Sequence, residues 1–228
     1  MGIQKMILSS DQLNIFSKAI KEYSFPCAYY DFNNNCTSIQ SEIIILEKLI
    51  KDDLLSGNRD FVKNGLSNVL YWGYAQIGYR DIRVSTFRNQ VSNGKLDDAI
   101  KLFSNIKDDG LKEIKKIGLP QFSGMSFISK IRMFLEPKNY VILDQQILKM
   151  NNSSYATILN DISFGTKETQ IRISDNNCDV YRRWCKKCIN ISNQYFNNTY
   201  RAVDIERGFF TLIQKGHTDI ATEILSVA

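Results

Sequence analysis

The chain has 228 residues, 43% hydrophobic and 23% charged, with 29 Lys and Arg against 24 Asp and Glu for a net charge of +5. That length suits one large domain or two intimate lobes of an ordinary globular protein, and only 3 prolines and 12 glycines exclude a turn-rich all-β fold. The basic excess is compatible with a polyanionic partner but too mild to establish one. "MGIQKMILSS" has no long apolar segment of a secretory signal, and Met6 stands where a myristoylation motif wants Ser or Thr. No apolar run approaches the ~20 residues of a membrane-spanning helix, so no membrane partner is expected. Five cysteines, an odd number without scaffold density, read as reduced thiols in a cytoplasm.

In chain order, "SSDQLNIFSKAIKEY" opens with Ser and Asp capping residues and sets Leu13, Phe16 and Ile20 at helical spacing. "TSIQSEIIILEKLIKDDLL" repeats the signal, with Thr37 or Ser38 expected as its cap. "NRDFVKNGLSNVLYWGYAQIG" places Phe61, Leu66, Val69, Leu70 and Trp72 on a third helix. "KLDDAIKLFSNI" and "DDGLKEIKKIGL" are a short helix and a final turn before residue 119. The asparagine clusters, Asn33 to Asn35 and Asn151 with Asn152, read as loops. "KMNNSSYATILND" suits a loop and a short helix, and "FGTKETQIRIS" a small β-hairpin or an irregular excursion. Helical periodicity returns in "CDVYRRWCKKCINISNQYF", "VDIERGFFTLIQKG" and "TDIATEILSV". The expectation is a single, compact, mostly α domain over residues 1–228, without internal repeats; a monomer is favoured, though the sequence does not fix the oligomeric state.

The stretch "LPQFSGMSFISKIRMFLEPKNYVILDQQI", residues 119–147, places ionisable groups against apolar sequence. Phe127, Ile131, Phe134 and Leu135 share one side of a helix that Pro137 ends, and Lys130 lies at that side's edge. "YVIL" follows as an apolar run, and Asp144 sits where "QQILKM" begins a helix, a good N-cap position. Taken singly, a border lysine snorkels to water and an Asp before a helix caps it.

The order of these features resembles the helix-hairpin-helix, Gly/Pro-Asp superfamily of DNA glycosylases. "LPQFSG" stands for the family's Leu-Pro-Gly-x-Gly hairpin, "FISKI" for its lysine helix and "YVILD" for the run ending in Asp, a form closest to the 8-oxoguanine glycosylase branch. Gln121 takes the place of the first hairpin glycine, an extra residue precedes Gly124, and Lys130 and Asp144 stand closer in sequence than is usual. The resemblance implies a helix-hairpin-helix and catalytic segment over about residues 111–150, a flipped nucleotide and no cofactor. It implies Lys130 as the nucleophile that forms an imine with the sugar, once desolvation has helped remove its proton. Asp144 would stabilise the positive charge developing on the sugar. Gln121, Ser123 and Gly124 would meet a phosphate of double-stranded DNA. Arg80, Arg83 and Arg88 in "YRDIRVSTFR" supply basic contacts to the same duplex. Phe134, one turn from Lys130, together with Trp72 and Trp184, are candidates to stack on the flipped base, ordinary core being the competing reading of each.

Cys178-x6-Cys185-x2-Cys188 resembles the iron–sulfur loop of the endonuclease III branch, but Gln194 fills the fourth position. Tyr181, Trp184, Cys185 and Cys188 fall on one helical face, so packing explains them and no metal is expected. The only histidine, His217, makes His-based triads and metal sites improbable. Two rivals to the enzyme stay open: a non-catalytic DNA-binding relative, for instance in a defence system, and a helical protein-interaction domain. A basic strip beside a pocket holding Lys130 and Asp144 favours the enzyme, and the same strip without a pocket favours the binder.

Overall fold

Ser9 starts the first helix with a capping box: its Oγ accepts the Gln12 N–H at 3.2 Å, and the Gln12 side-chain oxygen accepts the Ser9 N–H at 2.9 Å. The computed structural model describes residues 7–151, 155–164 and 170–227. Along the chain run α1 (Ser10–Lys21), β1 (Ala28–Asp31), β2 (Cys36–Ile39), α2 (Ile43–Leu55), α3 (Arg59–Gly73), α4 (Arg80–Gln90) and α5 (Asn93–Phe103). Then come α6 (Leu111–Ile117), α7 (Met125–Leu135), two short 3₁₀ turns (Ile147–Met150 and Ile158–Asp161), α8 (Asp175–Phe196), α9 (Ala202–Gln214) and α10 (Thr218–Val227). Over the described residues the protein is mostly helical with one small antiparallel sheet. Among the described residues, no helix is long and apolar enough to cross a membrane.

The expected second helix starts late. Thr37 and Ser38, expected to cap it, instead lie in β2, paired with Tyr30 and Tyr29. The helix begins at Ile43 behind Glu42, which makes no side-chain cap bond. Asp31 is the reason: its carboxylate accepts the N–H groups of Asn33 and Asn34 at 2.9 and 3.1 Å, and Asn35 takes a positive φ of 53°. The asparagine loop thus closes a hairpin, and strand pairing claims the two residues before a helix can use them. The hairpin expected within "FGTKETQIRIS" is represented by an isolated antiparallel bridge, Phe164 to Ile171, while residues 165–169 lie outside the described residues. Residues 152–154 of "KMNNSSYATILND" lie outside them as well.

The chain divides into two compact units, a terminal one (Met1–Ser24 with Pro137–Ala228) and a central one (Phe25–Glu136). The terminal unit is built on α1 against α9. Phe16, fully buried, lies 4.6 Å from Phe209 between ring centres, and a Cβ at Gly208 would stand 2.6 Å from Ile20 Cγ1. A bare glycine is what lets these two helices close up. The central unit is organised by α3, whose Val62, Leu66, Val69 and Leu70 are fully buried. Phe61, expected on that same face, is 49% exposed, because it stands one position off the spacing that runs through Val62, Leu66 and Val69.

Candidate active site

Helix α6 ends at Gly118, whose φ of 69° turns the chain out of the helix. Leu119 and Phe122 are buried, and the Phe122 N–H donates to the Leu119 carbonyl at 3.1 Å, closing a turn with Pro120 second and Gln121 third. Gln121 has φ of 69°, the value such a turn asks of its third residue and that glycine adopts without a Cβ penalty. Gln121 therefore keeps the backbone conformation of a hairpin glycine while carrying a side chain. That side chain is used: Oε1 of Gln121 accepts from Nη1 of Arg83 at 3.1 Å. Phe122 holds the turn down edge-on against Phe87, 5.6 Å between centres. Past an exposed Ser123, Gly124 takes the N-cap position of α7 and, having no side chain, supplies no cap bond of its own.

Lys130 lies deeper than the border position expected of it, with only 6% of its surface exposed. Its Nζ lies 3.3 Å from the Ser126 carbonyl one turn back and 5.2 Å from the centre of the Phe127 ring. Its stem runs past the end of α3, where a Cβ on Gly73 would stand 3.2 Å from Lys130 Cδ. Phe134, one turn on, is fully buried and meets Trp72 edge-on at 5.2 Å, while Phe25 meets the same indole at 5.0 Å. Trp72 is 2% exposed, and its Nε1 is buried without a hydrogen-bond partner among the described residues. Phe134 and Trp72 therefore pack on the helix of Lys130 but show no open face for a base to stack on.

Asp144 belongs to the terminal unit, whereas Lys130 belongs to the central one. Its carboxylate accepts the N–H groups of Gln146 and Ile147 at 3.0 and 3.3 Å, and its carbonyl accepts the Leu148 N–H at 3.0 Å. The cap expected of Asp144 is thus present, at the head of a single 3₁₀ turn. The run before it is braced in a way the sequence did not reveal. Tyr181 donates its hydroxyl to the Val141 carbonyl at 2.9 Å, and Trp184 donates Nε1 to the Ile142 carbonyl at 3.0 Å. Both are fully buried, and Trp184 also packs on Phe209 at 5.5 Å. Trp184, considered as a base platform, is instead a core residue that secures the segment carrying Asp144. The available signal was Tyr181 and Trp184 falling on one face of α8 with an extended backbone left to satisfy.

The three arginines differ. Arg83 is exposed, over Tyr79 at 5.2 Å and bonded to Gln121. Arg80 lies 3.9 Å over the Tyr71 ring and pairs with Asp81 at 3.1 Å. Arg88 turns inward: it sits 3.9 Å over Phe32 and donates to Asn64 Oδ1 at 2.9 Å and to Ser67 Oγ at 3.1 Å. Of the three, Arg83 alone stands beside the hairpin turn with its head in solvent.

Cys178, Cys185 and Cys188 are buried on α8, and burial pushes the Cys188 thiol well above its ordinary range. Among the described residues, no group of three or more His, Cys, Asp or Glu side chains is placed to hold a metal ion. No protein-family model, curated protein or solved structure matches the chain.

Proposed function

We propose that this chain is a DNA glycosylase with lyase activity that removes an oxidised purine such as 8-oxoguanine from duplex DNA. The observation that carries the reading is the hairpin between α6 and α7. A non-glycine residue, Gln121, is held at positive φ so that a Leu-Pro turn leads into a helix whose N-cap is Gly124, and Lys130 follows on the same helix. Backbone N–H groups at such a turn and helix start suit a DNA phosphate, with Arg83 alongside to add charge.

The chemistry follows from what a glycosidic bond requires. The neutral amine of Lys130 attacks C1′ of the flipped nucleotide, the C1′–N bond breaks, and the base leaves with the bonding electrons and takes up a proton. Positive charge builds on the sugar ring during this step, and opposing it is the part the family resemblance gives to the Asp144 carboxylate. Ring opening gives an iminium on Lys130; loss of a C2′ proton then expels the 3′ phosphate, and water releases the product from the lysine.

Borohydride reduction during reaction with an 8-oxoguanine duplex tests the proposal, because it converts the iminium into a stable protein–DNA adduct. The wild type is expected to trap and Lys130→Gln to yield no adduct. Asp144→Asn keeps an oxygen to cap Gln146 and Ile147, so it is expected to bind DNA with normal stability and to react far more slowly. Undiminished trapping in Lys130→Gln rejects the assigned nucleophile. A wild type that binds duplex DNA but neither traps nor excises leaves the chain a non-catalytic DNA-binding relative.

A further inference from the structure

Among the described residues, the non-glycine positions with positive φ are Asn35, Asp108, Gln121, Asn197 and Asn198. All but Gln121 are Asn or Asp, whose short side chains tolerate the left-handed region; glutamine has no such tolerance. Core packing does not account for Gln121, because it is only partly buried. Glycine would take the same φ of 69° without a Cβ penalty, so what glutamine brings to this place is its amide.

The amide oxygen accepts from Nη1 of Arg83 at 3.1 Å. Arg83 is exposed, lies over the Tyr79 ring at 5.2 Å, and pairs with no carboxylate among the described residues. Tyr79 in turn meets Tyr74 at 5.7 Å, and Tyr74 meets Phe127 of α7 at 4.5 Å. The guanidinium is thus tied to the neighbourhood of α7 twice, through Gln121 before the helix and through the ring series that reaches Phe127 within it. The Lys130 Nζ stands 5.2 Å from the centre of that same Phe127 ring. The bond at Nη1 leaves free the edge formed by the Nε and Nη2 N–H groups. Arg59 shows what that edge can do: its Nε and Nη2 donate to the two carboxylate oxygens of Asp97 at 2.6 and 2.7 Å. A phosphodiester offers two oxygens to the same fork.

We propose that Gln121 is a positioning residue, which orients Arg83 so that its Nε–Nη2 edge takes one backbone phosphate of duplex DNA beside the hairpin. The inference rests on the DNA-binding part of the proposed function and not on the lysine chemistry. Glycine at residue 121 would serve the turn alone. Glutamine serves the turn and also fixes an arginine before DNA arrives, so less rotamer freedom is lost when the phosphate docks. Because Arg83 is tied to α7, the phosphate it holds is set in register with the helix of Lys130.

Affinity of the full chain for a short duplex, measured across salt concentrations, tests this with Gln121→Met and Gln121→Gly, each alone and combined with Arg83→Ala. Methionine keeps the length of the side chain and removes its acceptor, whereas glycine suits the backbone and removes the side chain altogether. Each is expected to weaken binding about two- to tenfold, the worth of one hydrogen bond, while urea unfolding shows an intact fold. In the Arg83→Ala chain neither is expected to weaken binding further, because Gln121 acts through the arginine. A glutamine that served only the turn would show the same loss in both backgrounds, and Gln121→Gly would escape it. Wild-type affinity in Gln121→Met or in Gln121→Gly overturns the proposal, and so does an undiminished loss in the Arg83→Ala background. A wild type that binds no duplex at low salt overturns it together with the DNA-binding reading. A wild type that binds but yields no borohydride adduct removes the enzymatic reading alone, and the same four variants still decide the role of Gln121.

Discussion

Substituting Gly73 by Ala puts a single methyl group where α3 passes Lys130. The new Cβ would lie 2.6 Å from Phe127 Cε1, 3.2 Å from Phe127 Cζ and 3.2 Å from Lys130 Cδ. The lysine stem can give by a few tenths of an ångström, but the half-buried phenylalanine ring is flanked by two other rings. Its centre is 4.5 Å from that of Tyr74 and 6.2 Å from that of Phe122. Overpacking of this kind costs about 1–3 kcal/mol. Alanine returns up to about 1 kcal/mol in a helix interior, and less here because Gly73 is the last residue of α3. The net expectation is a destabilisation of about 1–2 kcal/mol, or a fall in Tm of roughly 2–8 °C for a chain of this size. Urea titration and thermal scans read that number. Borohydride trapping then reads whether the displaced ring and stem carry Lys130 out of position, with adduct formation slowed more than the fold is weakened. A Gly73→Ala chain more stable than the wild type, as helix propensity alone dictates, would refute the close approach on which this reasoning rests.

Arg83→Ala is expected to weaken duplex binding and reduce the slope of log affinity against log salt by about 1, as one phosphate contact demands. Arg88→Ala should instead lower stability, because its guanidinium is spent on Phe32, Asn64 and Ser67; equal effects of the two on the salt slope would contradict these placements. Burial raises the Asp53 carboxyl above its ordinary range despite the 2.7 Å bond from the Tyr29 hydroxyl, which acts in the opposite direction. A folded-state value above the unfolded one gives stability that is present below about pH 4 and lost as pH rises through the folded value. Asp53→Asn keeps an acceptor for Tyr29, so its advantage over the wild type should grow from about pH 4 upward and then level off, a small effect given the partial exposure of the group. A stability difference between the two chains that does not change with pH would count against the raised value. In thiol titration, exposed Cys36 should react fast, whereas Cys178, Cys185 and Cys188 should need denaturant; fast reaction of three or more thiols in the native protein, beyond Cys36 and half-buried Cys27, contradicts the packing of α8.

Local sequence determined most of the helices, because they are written in contacts three and four residues apart; α4 (Arg80–Gln90), with only Val84 and Phe87 buried, was not anticipated. Ser9 and Gln12 suffice to start α1, and Pro137 suffices to stop α7, forcing Glu136 to φ −150° and ψ 71°. The turn at residues 119–122 was legible as well, since Leu-Pro followed by a residue at positive φ is a property of four neighbours. Asp144 as a cap belongs to the same class. What tertiary structure decided are the matters that depend on residues far along the chain. Thr37 and Ser38 are good caps by themselves, but Tyr29 and Tyr30 claim them as a strand. Lys130 reads as a border residue until Gly73, some 57 positions earlier, lets α3 close over its stem. Three arginines alike in sequence divide because Phe32, Asn64 and Ser67 capture Arg88, while Gln121 leaves the head of Arg83 in water. Trp184 could have faced a base or a core, and its bond to the Ile142 carbonyl, 42 residues away, is what places it in the core. Short-range hydrogen bonds and periodicity can be read from neighbours alone; the depth and partner of a long polar side chain are set by whatever the fold brings against it.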